Sequence, residues 1–299
     1  MRLGLLGLIR SVADEGTEEG ALDLGAMIMH HLVDLAEWER PFYTLHFPSF
    51  EPIHLGPLVL DLSPTKHMAL LVIAAVLCLF LFISAARSLR RRDPNRAPSG
   101  WANAVETLVV FFRDEVVRTN IGHGADAYTP YVLTVFFFIL VNNLLGLVPF
   151  MGSATGNLAV TAALALLTFI LVEVSGMRAL GPRGYLGTIF YAPKGLNPIA
   201  TGLMLIIMTP VEFLGKLTKP FALAIRLFAN MTAGHTLILS LIGMIFVFSN
   251  LTLGRWGIAG ASVAMSSAIM ILEVFVAFLQ AYIFAMLTAV FIGLIRHAH

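Results

Sequence analysis

Long apolar runs separated by short polar stretches dominate the pattern along this chain. Residues 68–86, 131–150 and 158–176 are each close to the length of about 20 residues that a helix needs to cross a bilayer core of about 30 Å. Residues 221–249 and 258–296 form longer proline-free runs, and the second would extend for about 58 Å as a helix. Because upright spans cannot absorb that length, the pattern predicts a strongly tilted helical hairpin that turns in the stretch between these two runs.

The charged stretches between the runs set the predicted topology. Residues 87–96 are rich in arginine, and the positive-inside rule places them on the inner side, so the N-terminal region lies outside. Arg178 and Arg183 return the chain to the inner side after the third run. Residues 101–122 mix apolar stripes with charges, which is typical of an amphipathic helix lying on the inner surface. Residues 22–38 are a candidate for another amphipathic helix.

The predicted fold class is therefore an all-α integral membrane protein. Composition agrees, since 58% hydrophobic and 12% charged residues leave too little polar surface for a soluble protein of 299 residues. The net charge is only +1 and the basic residues cluster in loops, which argues against nucleic-acid binding. The chain divides into five predicted regions. Residues 1–66 form an outer N-terminal region, residues 67–100 a first transmembrane helix with a basic inner loop, and residues 101–122 an interfacial helix. Residues 129–178 form a transmembrane hairpin, and residues 197–299 form a long tilted hairpin.

Arg226 is the only permanent charge in the apolar run 221–249. An arginine near the bilayer centre costs roughly 2.5–3.5 kcal/mol on insertion scales. Its guanidinium stays protonated in proteins, so Arg226 is a poor proton carrier and a good fixed positive charge. The alternatives are that Arg226 extends to a lipid headgroup or pairs with one structural acid.

The position of the turn predicts which residues of the long hairpin lie level with each other. Folding the two arms antiparallel about Leu253 places Arg226 level with Gln280. The same register places His235 level with residues 271–273. A salt bridge between Arg226 and Glu273 is offset by about seven residues in this register, or about 10 Å along the helix, although a slipped turn would allow it.

Helical periodicity sorts the polar residues of the hairpin into faces. At about 100° per residue, Glu212 and Asn230 each fall within about 40° of Arg226, while His235 points roughly opposite to it. On the second arm a polar residue recurs at every seventh position and on one face, at Ser266, Glu273 and Gln280. Glu273 is the only charged residue between Gly257 and Ile295, which favours a functional role.

This arrangement favours two proton paths, one from each side of the membrane. Histidine and glutamate exchange protons near neutral pH when their surroundings tune them, so His235 and Glu273 are candidates for the outer path. Glu212 is the candidate for the inner path, and Arg226 separates the two. Further candidates in the 129–178 hairpin are polar groups, most of which hydrogen-bond between helices in membrane proteins; they are Asn142, Asn143, Ser153, Asn157 and Glu173.

The residues from Arg226 to Gly234 carry a motif of arginine, Leu-Phe, a small residue, Asn-Met and Ala-Gly. Gln280 follows within LQAYIF, and VNNLLGLVPF precedes both. At these positions the sequence resembles subunit a of the F-type ATP synthase membrane sector. The resemblance extends from about Met29 to the C-terminus.

The resemblance implies roles for individual residues. Arg226 would face the rotor ring of c subunits and interact with its ionised carboxylate. Outer-path and rotor-interface positions would be Asn230, His235, Glu273 and Gln280; Glu212 would match an inner-path position, and Asn143 and Asn157 would match weaker polar positions. Some relatives exchange the acid and the histidine of His235 and Glu273. Some carry an aspartate where this chain has Gly146, which puts an outer-path role there in doubt.

The resemblance also implies the setting of the protein. It would be a proton-conducting stator subunit, not itself an enzyme, with the ATP site on other subunits and with no cofactor or metal. Its partners would be the c-ring, the peripheral-stalk b subunits, the rest of the synthase and the lipid bilayer of a bacterial inner membrane, with the N-terminus outside and the C-terminus in the cytoplasm.

The alternative function is a self-contained ion transporter or channel, in which two related halves with broken helices are usual. The sequence has no internal repeat of that kind. A proton-translocating subunit of a respiratory complex is expected to carry several lysines within the membrane, whereas Lys216 and Lys219 are expected near the end of a span. A purely structural anchor leaves Arg226 and Glu273 unexplained.

Overall fold

A computed structural model describes residues 63–90, 100–148, 151–190, 197–248 and 254–297, with short stretches between residues 25 and 60. Most of the predicted helix at 22–38 lies outside the described residues. Its last part is wrong, because Glu37 and Trp38 belong to a β-strand. The arginine-rich loop beyond Arg90 and the centre of the turn at 249–253 also lie outside the described residues.

The described elements begin with short strands and continue with helices. The strands are β1 (Glu37–Glu39), β2 (Thr44–His46), β3 (Ile53–Leu55) and β4 (Leu58–Leu60). The helices are α1 (Lys66–Arg90), α2 (Trp101–Phe111), a π-helix (Phe112–Arg118), α3 (Thr119–Ile121), a 3-10 turn (Ala125–Ala127), α4 (Thr129–Gly146), a 3-10 turn (Ala154–Gly156), α5 (Leu158–Ile189), α6 (Pro198–Val247) and α7 (Gly254–Arg296).

The five long apolar helices of the described chain are each able to cross a membrane. They are α1, α4, α5 and nearly all of α6 and α7, which confirms the predicted all-α integral membrane fold. Helix α6 continues through Pro210 and Pro220. A proline inside a helix removes one backbone hydrogen bond, and membrane helices tolerate this where neighbouring groups compensate for it.

Two antiparallel hairpins of three-residue strands lie before α1. β1 pairs with β2, with Trp38 opposite Leu45, and β3 pairs with β4, with His54 opposite Val59. The sequence pattern does not predict these strands. Alternation is hard to recognise over three residues, and the prolines of this segment indicated only a non-spanning region.

Contacts within the chain divide it into two compact units. The first comprises Met1–Leu77, Leu140–Asn157 and Phe228–Leu279, and the second comprises Cys78–Ile139, Leu158–Leu227 and Gln280–His299. In the first unit, polar side chains share the interior with apolar ones such as Leu70 and Met231. The buried polar residues of this unit include Asn142, Asn143, Ser153, Thr155, Ser262 and Ser266.

The second unit has a predominantly apolar interior. The Phe112 ring packs against the Phe136 ring with centroids 4.3 Å apart, and the centroid of the Tyr282 ring lies 6.0 Å from that of Phe112. A side chain at position 293 would overlap the Asn120 carbonyl oxygen, so Gly293 allows α7 to lie directly against α3. Close approach at a small residue is the usual packing mode of membrane helices.

The predicted amphipathic helix at 101–122 is confirmed as a helical segment from Trp101 to Ile121. Its apolar side is buried in the second unit, at Ala102, Val105, Phe112, Val116, Val117 and Ile121. Its charged residues Arg113, Asp114, Glu115 and Arg118 are exposed. Its location on a membrane surface stays a prediction.

Helix α5 is longer than the apolar run that predicted it. It continues beyond Arg178 to Ile189, with a break at Gly181, whose φ is 71° and ψ is 168°. Glycine adopts positive φ at little cost, and Pro182 follows at a position where helices commonly restart. The segment after the break carries Tyr185 and Thr188.

Candidate functional site

In the first unit, α6 and α7 meet closely where Gly234 lies against Glu273. A side chain at position 234 would overlap Glu273 Oε1 and would lie 2.6 Å from Glu273 Cδ. His235 is the next residue on α6, so the predicted level of His235 with residues 271–273 is confirmed. Both His235 and Glu273 are half-buried.

The Glu273 carboxyl group is only partly satisfied inside the chain. Its Oε2 atom is buried and has no hydrogen-bond partner among the residues that the structure describes. Thr232 Oγ1 on α6 is also buried without a hydrogen-bond partner among the described residues. A buried oxygen without a partner is costly, so a proton or a water molecule is the natural companion for the carboxyl group.

Gly146 belongs to the same cluster. A Cβ atom at this position would lie 3.1 Å from His235 Nε2 and 2.7 Å from Ser153 Cβ, and it would overlap the methyl group of Met231. The space that a side chain at position 146 would need is therefore filled by the Met231 side chain. Position 146 lies beside His235, but its glycine has no side chain that could carry a proton.

A buried chain of polar groups follows the end of α4. Thr155 Oγ1 donates to Asn143 Oδ1 at 2.9 Å, and the hydroxyl groups of Ser153 and Thr155 are 2.6 Å apart. Asn143 is only 2% exposed. The structure thus brings Asn143 and Ser153 together, and through Ser153 to Gly146 and His235. Thr155 is a member that the sequence analysis missed.

The other candidates of this unit occupy separate positions. Asn157 precedes α5, and its backbone N–H donates to the Ala154 carbonyl at 3.2 Å. Ser266 is buried on α7, and Asn230 is half-buried on α6.

In the second unit, Arg226 lies on the exposed face of α6. Its neighbours Leu223, Ala224 and Leu227 are buried, whereas Arg226 itself is exposed. Arg226 forms no ion pair with any residue in the described part of the chain. The guanidinium is therefore presented to the surroundings of this chain.

Gln280 of the second unit is 6% exposed and lies on α7. It belongs to the tightly packed face that continues along the helix with Ala281, Phe284, Ala285 and Thr288. Its amide thus faces the interior of the unit, whereas Arg226 faces outward.

A cavity of about 220 Å³ opens in the second unit between α5, α6 and α7. This volume is large enough for several water molecules. Four ionisable groups line it among apolar neighbours that include Phe291 and Ile295, and these groups are Glu173, Glu212, Lys216 and Lys219. Glu212 is exposed, so it connects the cavity to the surroundings.

Glu173 takes part in a compact polar cluster at one wall of this cavity. The Tyr185 hydroxyl donates to Glu173 Oε2, and Lys216 Nζ lies 3.5 Å from the same oxygen. Lys216 also donates to Thr188 Oγ1 at 3.1 Å and lies 4.4 Å from the centre of the Tyr185 ring. The Glu173 side chain is only 13% exposed, so protein groups rather than bulk solvent surround its carboxylate.

No role for Lys216, Tyr185 or Thr188 was predicted from the sequence. A lysine within an apolar helix carries the same kind of signal that identified Arg226, since both are costly to bury. Tyr185 and Thr188 had no such signal, because they follow the break in α5.

Comparison with known proteins covers most of the chain. Residues 68–293 match the family model described as ATP synthase A chain. The chain is 47% identical over 267 residues to ATP synthase subunit a of Chloroherpeton thalassium. The aligned residues cover 89% of this chain and 75% of that protein. It is 44% identical over 271 residues to ATP synthase subunit a 2 of Chlorobaculum tepidum, with coverages of 90% and 72%.

A more distant bacterial relative gives the same result. ATP synthase subunit a of Anaeromyxobacter dehalogenans is 43% identical over 296 residues, which cover 93% of this chain and 73% of that protein. The match extends along most of the sequence, and it agrees with the five helices of the described chain that are able to cross a membrane and with the exposed arginine on α6. The chain belongs to the ATP synthase A chain family.

Proposed function

We propose that this chain is the proton-conducting stator subunit of an F-type ATP synthase, with two offset half-channels and Arg226 as the residue that couples proton flow to rotation of the c-ring. The observation that carries this proposal is the placement of Arg226, which is exposed and has no ion-pair partner in the described part of its own chain. A fixed guanidinium presented in this way suits a carboxylate on a moving neighbour.

The outer half-channel uses the cluster around His235 and Glu273. The close approach at Gly234, the buried Glu273 Oε2 and the position of His235 beside Gly146 support a pair that exchanges protons. The hydrogen-bonded hydroxyl and amide groups of Asn143, Ser153 and Thr155 line this path. Weaker members of this path are Asn157, Ser266, Asn230 and the buried Gln280.

The inner half-channel uses the cavity that contains Glu212. A proton released from the ring beside Arg226 reaches Glu212 and leaves through water in this cavity. Glu173 lies on the same wall but is bound to Tyr185 and Lys216, which favours a structural contribution.

Coupling follows from the fixed charge. Each elementary charge that crosses 100 mV releases about 2.3 kcal/mol. Because a proton cannot pass an arginine that never loses its own proton, passage requires rotation of a ring carboxylate past Arg226. The chain is not itself an enzyme in this proposal. It assembles with the c-ring and the b subunits in a bacterial inner membrane, with its N-terminus outside and its C-terminus in the cytoplasm.

The test replaces Arg226 in the complete synthase and measures ATP synthesis driven by a proton gradient in vesicles. We expect Arg226→Ala to abolish coupled synthesis while the ring and the soluble ATPase still co-purify. Arg178→Ala, which removes an exposed arginine at a different site, is the matched control and should retain synthesis. Normal synthesis by the Arg226→Ala enzyme would refute the proposal, and purification without a ring would favour a self-contained transporter.

A further inference from the structure

We propose that Lys216 is a positioning residue of the inner half-channel. It holds the helical segment after the Gly181 break, residues 182–189, against α6 and so maintains the cavity beside Glu212. This inference rests on the proposed function only in the role that it gives to Glu212. The contacts of Lys216 themselves belong to the geometry of the second unit.

Lys216 contacts three groups that come from two parts of α5. Glu173 lies before the Gly181 break, whereas Tyr185 and Thr188 lie after it. The ammonium group lies 3.5 Å from Glu173 Oε2, 3.1 Å from Thr188 Oγ1 and 4.4 Å from the Tyr185 ring centre. One side chain on α6 therefore joins both parts of α5.

The segment after the break depends on such contacts for its position. At Gly181 the backbone leaves the helical region, with a φ of 71°, so the regular hydrogen bonding of α5 does not fix the direction of the residues that follow. A helical segment of this length is marginal by itself. The Tyr185 hydroxyl bond to Glu173 and the Lys216 bond to Thr188 are the polar contacts that attach this segment in the described structure.

The position of the segment determines the shape of the cavity. Thr188 and Glu173 line it on the α5 side, while Glu212 and Lys216 line it on the α6 side. Glu212 and Lys216 are four residues apart on α6 and therefore lie on one face of the helix. Release of the segment would change the water-filled space next to Glu212.

A competing explanation is that Glu173 itself carries protons. In that case its carboxyl group is indispensable, whatever happens at Lys216. If the cluster instead positions the segment, Glu173 and Lys216 act through their contact with each other and through the balance of their charges. Removing one partner of a buried ion pair leaves an uncompensated charge, whereas removing both does not.

The first experiment measures the position of the segment directly. Gly187 has open space around it, so Gly187→Cys introduces a probe on the segment once the single native cysteine is removed by Cys78→Ser. The complete synthase in inverted vesicles is labelled with a membrane-impermeant maleimide. We expect Lys216→Met to change the labelling rate several-fold, and Lys216→Arg, which keeps the charge and the donors, to restore it.

Lys219→Met is the matched control for this labelling. Lys219 lines the same cavity, but its ammonium group lies over the Phe291 ring of α7, 5.3 Å from the ring centroid. It should leave the labelling rate at position 187 unchanged. Equal rates in the Lys216→Met and unmodified proteins would overturn the proposal, as would an equal change caused by Lys219→Met.

The second experiment separates positioning from proton carriage. ATP-driven proton pumping is measured for Glu173→Gln, Lys216→Gln and the double variant. Positioning predicts that the double variant pumps faster than either single variant, because two amides still bind each other and no charge is left alone. A double variant as slow as Glu173→Gln would overturn the proposal. The labelling result requires no pumping, so a failure of the proposed function in the Arg226→Ala test remains distinguishable from a failure here.

Discussion

Replacement of Gly234 by alanine tests the close approach of α6 and α7 at Glu273. The added methyl carbon would lie 2.6 Å from Glu273 Cδ and 3.3 Å from Cγ. Non-bonded carbon atoms prefer a separation of about 3.5–4.0 Å, so the carboxyl group has to move by roughly 1 Å. The perturbation is a displacement of one functional group without any change in charge.

The expected effect is large on transport and small on folding. A misplacement of about 1 Å can lower the rate of a reaction by on the order of 100-fold. In the folding balance, alanine gains roughly 0.5–1 kcal/mol over glycine within a helix, while overpacking costs about 1–3 kcal/mol. These terms oppose each other, so the assembled synthase should persist while its proton pumping falls by about tenfold or more.

The assay is ATP-driven acidification of inverted vesicles that contain equal amounts of assembled synthase. Gly260→Ala is the matched control, because Gly260 lies on α7 in the same unit and has open space around it. Adding Glu273→Asp to Gly234→Ala shortens the acid by one methylene group and should restore part of the pumping. Normal pumping by Gly234→Ala, or an equal loss in Gly260→Ala, would refute the reasoning.

Three further predictions concern other parts of the chain. Exchanging His235 and Glu273 should slow vesicle pumping less than replacing either residue by alanine, because the exchange keeps both groups at one depth; equal losses would count against a pair. Thr155→Val leaves the buried Asn143 oxygen without its donor, so the free energy of unfolding in detergent should fall by about 1–3 kcal/mol, whereas Thr155→Ser should change it little; an unchanged Tm for the valine variant would contradict this role. Hydrogen bonds from neighbouring arginines, Arg118 foremost, lower the pKa of Asp126 from 3.8 to about 2, so the stabilisation is present above pH 3.8 and is lost as the pH falls towards 2; the Tm difference between wild type and Asp126→Asn should shrink over that interval, and a constant difference would exclude the ion pairs as its source.

The register of the long hairpin was predictable from the sequence because a helix has a fixed rise per residue. Knowing the turn was sufficient to place His235 level with Glu273, and the contact of Gly234 with Glu273 agrees. The apolar runs likewise predicted every helix of the described chain that is able to cross a membrane. Arg226 was identified by the cost of a permanent charge in such a run, and its exposure agrees with that reasoning.

The cluster at the cavity was not predictable in the same way. Hydropathy ended the third run at Gly176, but α5 continues through a glycine break, and that continuation brings Tyr185 and Thr188 to Lys216. Such contacts depend on the direction that the chain takes after a positive φ, which a periodic pattern does not encode. The filling of the space beside Gly146 by Met231 is also a matter of side-chain packing, since methionine adapts to irregular gaps.

The π-helix at Phe112–Arg118 has a consequence for the length of the amphipathic segment. A π-turn contains one residue more than an α-turn, and such turns occur mostly as single-turn bulges inside α-helices. Rewinding the same residues into a regular α-helix would rotate Ile121 by about 100° relative to the residues before the π-helix. Ile121 would then leave the apolar interior, and its carbonyl oxygen would lose the His297 ring nitrogen that lies 3.1 Å away, so the spacing of this segment is as constrained as its composition.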